Sequence, residues 1–288
     1  MIGLVGAGAM GSAMGASWRA GGADVVTCVE GRSARTRALV EQAGLRTVPR
    51  AEVVGADLVV SIVPPDDAMA AARSIAEAAT AAGVRPLVAD LNAIAPTTAV
   101  RIGEALRQAG LDFVDGSISG PPPGPRRHRS TRLYLSGERA REVGTIENPW
   151  AEVFVLSDEV GQASALKMCT ASVYKGTNAL IMHALLTAAA NGVVEEFLAD
   201  VSRTWPEQVP GWPLDIALAA SKSARYVGEM REIARAQAAA GLPAELFEGV
   251  AAAYERASET RLGRTDPEDV PRTVSLAEVL GTFRETEG

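Results

Sequence analysis

The sequence predicts an α/β protein in two parts, a doubly wound parallel sheet over residues 1–160 followed by an all-helical region over 161–288. Three observations predict it. Short β-branched runs alternate with longer Ala-rich segments as far as about Ser157, and a βαβα order implies parallel strands joined by crossover helices. The first run passes into the first helical segment through a Gly-x-Gly-x-x-Gly string. Beyond Gly161 the strand-like runs stop and only helical spacing continues.

Strands are expected at Ile2–Val5, Asp24–Val29, Asp57–Val63, Pro86–Leu91 and Phe113–Asp115, each a short apolar or β-branched run. Between them Met10–Ala20, Ser33–Ala43, Asp66–Ala82 and Pro96–Ala109 carry helical spacing, with Gly21, Gly44, Gly83 and Gly110 as stop signals. Thr131–Leu135 and Glu152–Leu156 extend the sheet at its edge. In the second part, Ala163 to about Leu198 forms one long helix or two abutting ones. Leu214–Ala240 gives a further helix ending at Gly241, and Pro243–Arg261 another. Pro206, Pro210 and Pro213 break the run over Trp205–Pro213. The polar stretch from Gly263 onward is expected to be mobile in part.

The chain has 288 residues, 47% of them hydrophobic and 22% charged, with a formal net charge of −7. That length buries a substantial core. The acidic balance argues against nucleic acid and anionic membrane surfaces as partners, since both select an excess of Lys and Arg on one face. Cys28 and Cys169 belong to no CxxC or CxxH unit, so no metal site is expected and the setting is read as reducing and cytoplasmic. The longest mostly apolar stretch, Leu180–Val194, is interrupted by His183 and Asn191, and no membrane span is expected. Small-molecule chemistry remains as the broad expectation.

The glycine string is Gly6-Ala7-Gly8-Ala9-Met10-Gly11. It meets the demands of a dinucleotide loop: a tight turn at Gly6, close approach of backbone to pyrophosphate at Gly8, and close helix–sheet contact at Gly11. The helix that follows offers free N–H groups and the positive end of its dipole to phosphates. Residues 6–11 are therefore read as the cofactor loop of a Rossmann domain. Cofactor choice turns on the end of the second strand. Glu30 stands where an acid accepts hydrogen bonds from the adenosine ribose and favours NAD, whereas Arg32, Ser33 and Arg35 suit the 2′-phosphate of NADP. We read the segment as favouring NADP, with NAD as the alternative; the plain reading of Arg35 and Arg37 is a solvated helix face.

Four segments in order carry a wider resemblance: Gly3 through Gly11, Val60-Ser61-Ile62-Val63-Pro64, Asp115-Gly116-Ser117-Ile118-Ser119-Gly120, and Gly161 through Lys167. With them the chain resembles the β-hydroxyacid dehydrogenase superfamily, which includes 6-phosphogluconate dehydrogenase and 3-hydroxyisobutyrate dehydrogenase. The short helical remainder looks like the subgroup with a compact phosphogluconate-dehydrogenase-like C-terminal domain. The resemblance implies that Asp115, Ser119 and Gly120 make a substrate-anchoring turn, that Val63, Pro64 and Asn92 lie near the nicotinamide, and that Lys167 is the catalytic lysine.

The residues fit those roles on their own chemistry. Ser119 brings a hydroxyl, and Gly120 lets backbone amides approach a carboxylate, although a plain strand-ending turn has the same composition. Asn92 closes a strand, where its amide bridges cofactor and substrate or simply stabilises a turn. A lysine that loses hydration in a cleft has its pKa lowered to roughly 7–8, which suits proton transfer to a developing alkoxide. One departure matters: where the family carries Asn four residues after the lysine, this chain has Ala171. Tyr174 and Lys175 follow on or beside the same helix face, where they meet the distal end of a longer anionic substrate or serve as packing. The basic run Arg126-Arg127-His128-Arg129 is either a lid over an anion or an exposed loop. Arg225, Tyr226, Glu229 and Met230 read equally as a subgroup helix motif or as an ion-paired, packed face.

The resulting expectation is an NADP-preferring oxidoreductase that interconverts a small hydroxy acid and its oxo acid, with Lys167 as general acid/base. A small anionic substrate and a homodimer formed through the helical domain go with it. Two alternatives stay open: an imine reductase on the same scaffold, which the loss of Asn at 171 permits, and a nicotinamide-binding sensor without turnover.

Overall fold

Eight strands, β1 (Ile2–Val5), β2 (Val25–Thr27), β3 (Arg46–Thr47), β4 (Leu58–Ser61), β5 (Leu87–Asp90), β6 (Phe113–Ser119), β7 (Thr131–Ser136) and β8 (Ala151–Ser157), form one sheet in the order β3-β2-β1-β4-β5-β6-β7-β8. This is a computed structural model, and it describes residues 1–126 and 130–284. Strands β1 to β6 are mutually parallel, β7 runs antiparallel to β6, and β8 runs parallel to β7. Helices α1 (Ala9–Ala20), α2 (Ala34–Gln42), α3 (Arg50–Val54), α4 (Ala68–Ala82), α5 (Pro96–Gln108) and α6 (Ala140–Gly144) lie between the strands in sequence.

The pleat sorts alternate strand residues into two cores. Ile2, Leu4, Leu58, Val60, Leu87 and Ala89 join Met14 and Trp18 of α1 and Val40 of α2. Their neighbours Val59 and Val88 join Ile75 of α4 and Ile102 and Leu106 of α5. Helices thus cover both faces, as a parallel sheet requires. Strand order reverses between β1 and β4, and a doubly wound sheet binds its ligand in the crevice beyond the carboxyl ends of such strands.

The second part is helical as expected: α7 (Gln162–Ala190), α8 (Val194–Val201), α9 (Trp212–Ala220), α10 (Ser223–Ala239), α11 (Glu245–Ser258) and α12 (Leu276–Arg284). One expectation needs correction. Leu214–Ala240 is two helices, α9 ending at Ala220 and α10 starting at Ser223, with the Ser221 and Ser223 hydroxyls bonded to the carbonyls of Leu218 and Ala220 at the break. The polar tail contains α12, whose Val279, Leu280 and Phe283 are buried in the helical core with Trp212 and Ile216. Ser275 and Glu278 start that helix as a reciprocal capping box.

The chain forms two compact units, Met1–Met168 and Cys169–Gly288. The division falls inside α7, whose first turns are hydrogen bonded to the sheet. Among the described residues no helix is long and apolar enough to cross a membrane.

Candidate active site

The turn between β1 and α1 is short: Val5 ends the strand and Ala9 starts the helix. Gly6 has φ +90°, and a Cβ there would collide with the Ile62 carbonyl and stand 2.8 Å from Cγ1 of Val63. Gly11 is confined in the same way by the carbonyl of Gly6. Gly8 is different. It is the N-cap of α1 at φ −70°, with no side chain bonded to the cap, and nothing lies within 4 Å of where its Cβ would be. Packing explains the glycines at 6 and 11, whereas open space in front of a helix N-terminus is what a pyrophosphate needs at 8. Ser12 stiffens the turn, its Oγ donating to the Ala7 carbonyl at 2.7 Å.

Glu30, Arg32, Ser33 and Arg35 are all exposed in the segment after β2, on the carboxyl side of the sheet. Ser33 is the N-cap of α2 and accepts from the Thr36 N–H at 3.2 Å, while the Arg32 carbonyl accepts from Arg37. The loops after β4 and β5 are joined by Asn92, which is 2% exposed. Its Oδ1 accepts from the Val63 N–H at 2.6 Å, and its Nδ2 donates to Asp90 at 2.7 Å and to Ser61 at 3.2 Å. Those bonds stabilise the turn that presents Val63 and the exposed Pro64. Burial pushes the Asp90 carboxyl up to about 7 against the hydrogen bonds from Asn92.

Strand β6 ends at the Ser119–Gly120 turn and also meets the lysine. Lys167 Nζ donates to the Ile118 carbonyl at 2.8 Å, immediately before Ser119 and Gly120. Gly120 has φ +112°, and a Cβ there would strike the Ser130 carbonyl, so the turn is closed against the start of β7. Asp115 is fully buried, and its side chain accepts from the backbone N–H groups of Gly161 and Ser164 at 2.9 and 3.1 Å and from the hydroxyls of Ser136 and Ser164. Burial raises the Asp115 carboxyl, against the lowering by those donors. Sequence reading placed Asp115 in the turn and missed this contact with α7, whose partners lie 46 and 49 residues away.

The other candidates sit in the second unit. Tyr174 is 65% exposed on α7. Lys175 is ion-paired with the buried Glu229 and stands 4.1 Å from the centre of the Tyr226 ring. Met230 is buried and Tyr226 packs edge-on against Tyr254, so the Arg225–Met230 segment is the packed, ion-paired face. Ala171 is buried. Of the basic run, Arg127, His128 and Arg129 lie outside the described residues. One signal in the sequence went unused: the chain has only three lysines, Lys167, Lys175 and Lys222, against 25 arginines. None of the three is fully exposed. The Lys222 ammonium is held below its usual range by burial, with Arg225 and Arg272 adding repulsion.

Comparison with known proteins gives the same picture. Residues 1–139 match the family of the NAD binding domain of 6-phosphogluconate dehydrogenase, and residues 188–257 match a domain family of unknown function, DUF1932. A conserved protein whose structure shows similarity with 3-hydroxyacid dehydrogenases is 25% identical, with a TM-score of 0.64 over 90% of this chain and 96% of its own. The Mycobacterium tuberculosis 3-hydroxyisobutyrate dehydrogenase, solved with L-serine, is 21% identical with a TM-score of 0.70 over 98% of each chain. An imine reductase of Streptomyces aurantiacus shares the fold at 17% identity and a TM-score of 0.55, over 100% of this chain and 99% of its own.

Proposed function

For a chain that belongs to the β-hydroxyacid dehydrogenase superfamily, we propose an NADP-preferring oxidoreductase that interconverts a small hydroxy acid and its oxo acid. The observation that carries this reading is the Lys167 ammonium 2.8 Å from the Ile118 carbonyl, beside the Ser119–Gly120 turn at the carboxyl end of β6. Gly6 through Gly11 hold the pyrophosphate, Arg32 and Arg35 the 2′-phosphate, and Val63 and Pro64 border the nicotinamide. The bound reduced cofactor supplies the hydride. Ser119 and the amides around Gly120 take the acid group of the substrate. Lys167 keeps its proton aimed by the Ile118 carbonyl and gives it to the oxo oxygen as negative charge develops there; in the other direction the neutral amine removes the hydroxyl proton.

A second reading, imine reduction, is favoured by Ala171, since the amide expected to orient a hydroxy acid is missing. The deciding experiment follows oxidation of NADPH and NADH with small 2- and 3-oxo acids and with cyclic imines. Turnover of an oxo acid with NADPH preferred supports the proposal. Turnover confined to imines would replace it with the second reading, and tight cofactor binding with no turnover of either class would replace it with a sensor.

A further inference from the structure

We propose that Asp115 is a positioning residue for Lys167: its buried carboxylate caps the amino terminus of α7 and so sets the register of the lysine against β6. The first N–H groups of a helix have no partner within it, and negative charge at that end is favourable. Asp115 supplies both needs. Oδ2 takes the N–H groups of Gly161 and Ser164, and Oδ1 takes the Ser164 hydroxyl at 2.6 Å. The sheet grips the helix at two further points: Ser117 Oγ of β6 donates to the Ala163 carbonyl at 2.8 Å, and Ser136 of β7 links Asp115 to the Ala163 N–H. Less than a turn beyond Ser164, Lys167 reaches back to Ile118.

Two ladders therefore meet. Asp115 and Ile118 are about 10 Å apart along an extended strand, and Ser164 and Lys167 about 4.5 Å along the helix. The extended lysine side chain spans the remainder only while α7 keeps its register. A carboxylate with no access to water, set into the middle of a strand, has no part in substrate contact. Its work is done through the helix. Because a misplacement of about 1 Å can cost about a hundredfold in rate, loss of the cap acts on proton transfer and leaves the Gly6–Gly11 loop intact.

This inference rests on Lys167 being the acid/base, so one arm of its test needs no turnover. The cofactor-free protein and its Asp115→Asn and Ser164→Ala variants are labelled with limiting acetic anhydride at a single pH. Modification of Lys167 is measured by peptide mass spectrometry relative to Lys175 and Lys222. Asp115→Asn is expected to raise relative labelling of Lys167 at least threefold, with Ser164→Ala intermediate. With the oxo acid that the wild type reduces, kcat falls at least tenfold, while KM for the cofactor stays within twofold. Unchanged Lys167 labelling in folded Asp115→Asn overturns the proposal, even if the variant melts at a lower temperature, because a purely structural role would move only the melting point. If Asp115→Asn does not fold, Ser164→Ala decides on the same two readouts. A wild type that labels as expected but reduces no oxo acid refutes the functional reading and not the positioning.

Discussion

Replacing Gly8 with alanine separates cofactor binding from folding in a way that Gly6 cannot. At position 8 the added methyl meets no atom within 4 Å and φ is −70°, so the folded state accommodates it without strain. Alanine is a poorer N-cap than glycine, at a cost of about 1 kcal/mol. The narrower unfolded ensemble returns roughly 0.4–1 kcal/mol, and net stability stays within about 0.5 kcal/mol of wild type. The methyl does fill the space in front of the α1 amides, so NADPH affinity falls at least tenfold, or about 1.4 kcal/mol. At position 6 the same change meets a φ of +90° and the Ile62 carbonyl. Strain of about 1–3 kcal/mol is joined by backbone displacement, for a total of about 3 kcal/mol or more. Urea denaturation of the cofactor-free proteins and fluorescence titration with NADPH read the two effects separately. Wild-type NADPH affinity in folded Gly8→Ala protein would remove the pyrophosphate from this turn, and an unchanged urea midpoint for Gly6→Ala would refute the packing.

The remaining predictions concern charge. Replacing Arg32 and Arg35 together with alanine lowers NADPH affinity at least tenfold and leaves NADH within twofold; equal loss for both cofactors in isothermal titration would remove the 2′-phosphate from these side chains. Burial lifts the Asp90 carboxyl from 3.8 to about 7, so the folded state holds that proton more tightly than the unfolded chain. Stability from this group is therefore present at acid pH and declines as pH rises from about 4 to 7, by at most about 1.4 kcal/mol per pH unit. Urea midpoints from pH 5 to 8 should show the decline in wild type and a shallower one in Asp90→Asn, where Asp115 leaves a slope of the same sign; an identical slope in the variant speaks against it. Lys175 and Glu229 have side chains only 15% and 6% exposed. Glu229→Gln should cost about 3 kcal/mol by stranding the ammonium, and Lys175→Met with Glu229→Leu should recover most of it. A single variant as stable as wild type would free Lys175 for another partner.

Much of the first unit could be read from local pattern, because buried parallel strands announce themselves as apolar runs and crossover helices as Ala-rich segments between glycines. What escaped had a physical reason in each case. β3 is two exposed residues, Arg46 and Thr47, with no apolar signature. β6 continues past Asp115 through Gly116, Ser117 and Ser119, a stretch without an apolar run, in which the Ser117 hydroxyl is satisfied by the Ala163 carbonyl 46 residues away. The break after Ala220 has neither proline nor glycine to announce it. α12 was hidden by the polarity of its surroundings, although Ser275-Leu276-Ala277-Glu278 is a capping box that could have revealed it. In the candidate site, the glycine loop follows from its motif and context, whereas the role expected of Lys167 comes from the family resemblance. The bonds of Asp115 to α7 join residues whose sequence separation no periodicity encodes.

The central claim is that Lys167 moves the proton in a nicotinamide-dependent reaction beside Ser119 and Gly120. The most direct measurement is single-turnover oxidation of NADPH by the Lys167→Ala variant with the oxo acid that the wild type reduces best, with NADPH binding measured on the same sample. Binding within twofold of wild type and a rate lower by about a hundredfold or more is the expected result. A folded variant that binds NADPH and oxidises it at the wild-type rate would contradict the assignment of the lysine.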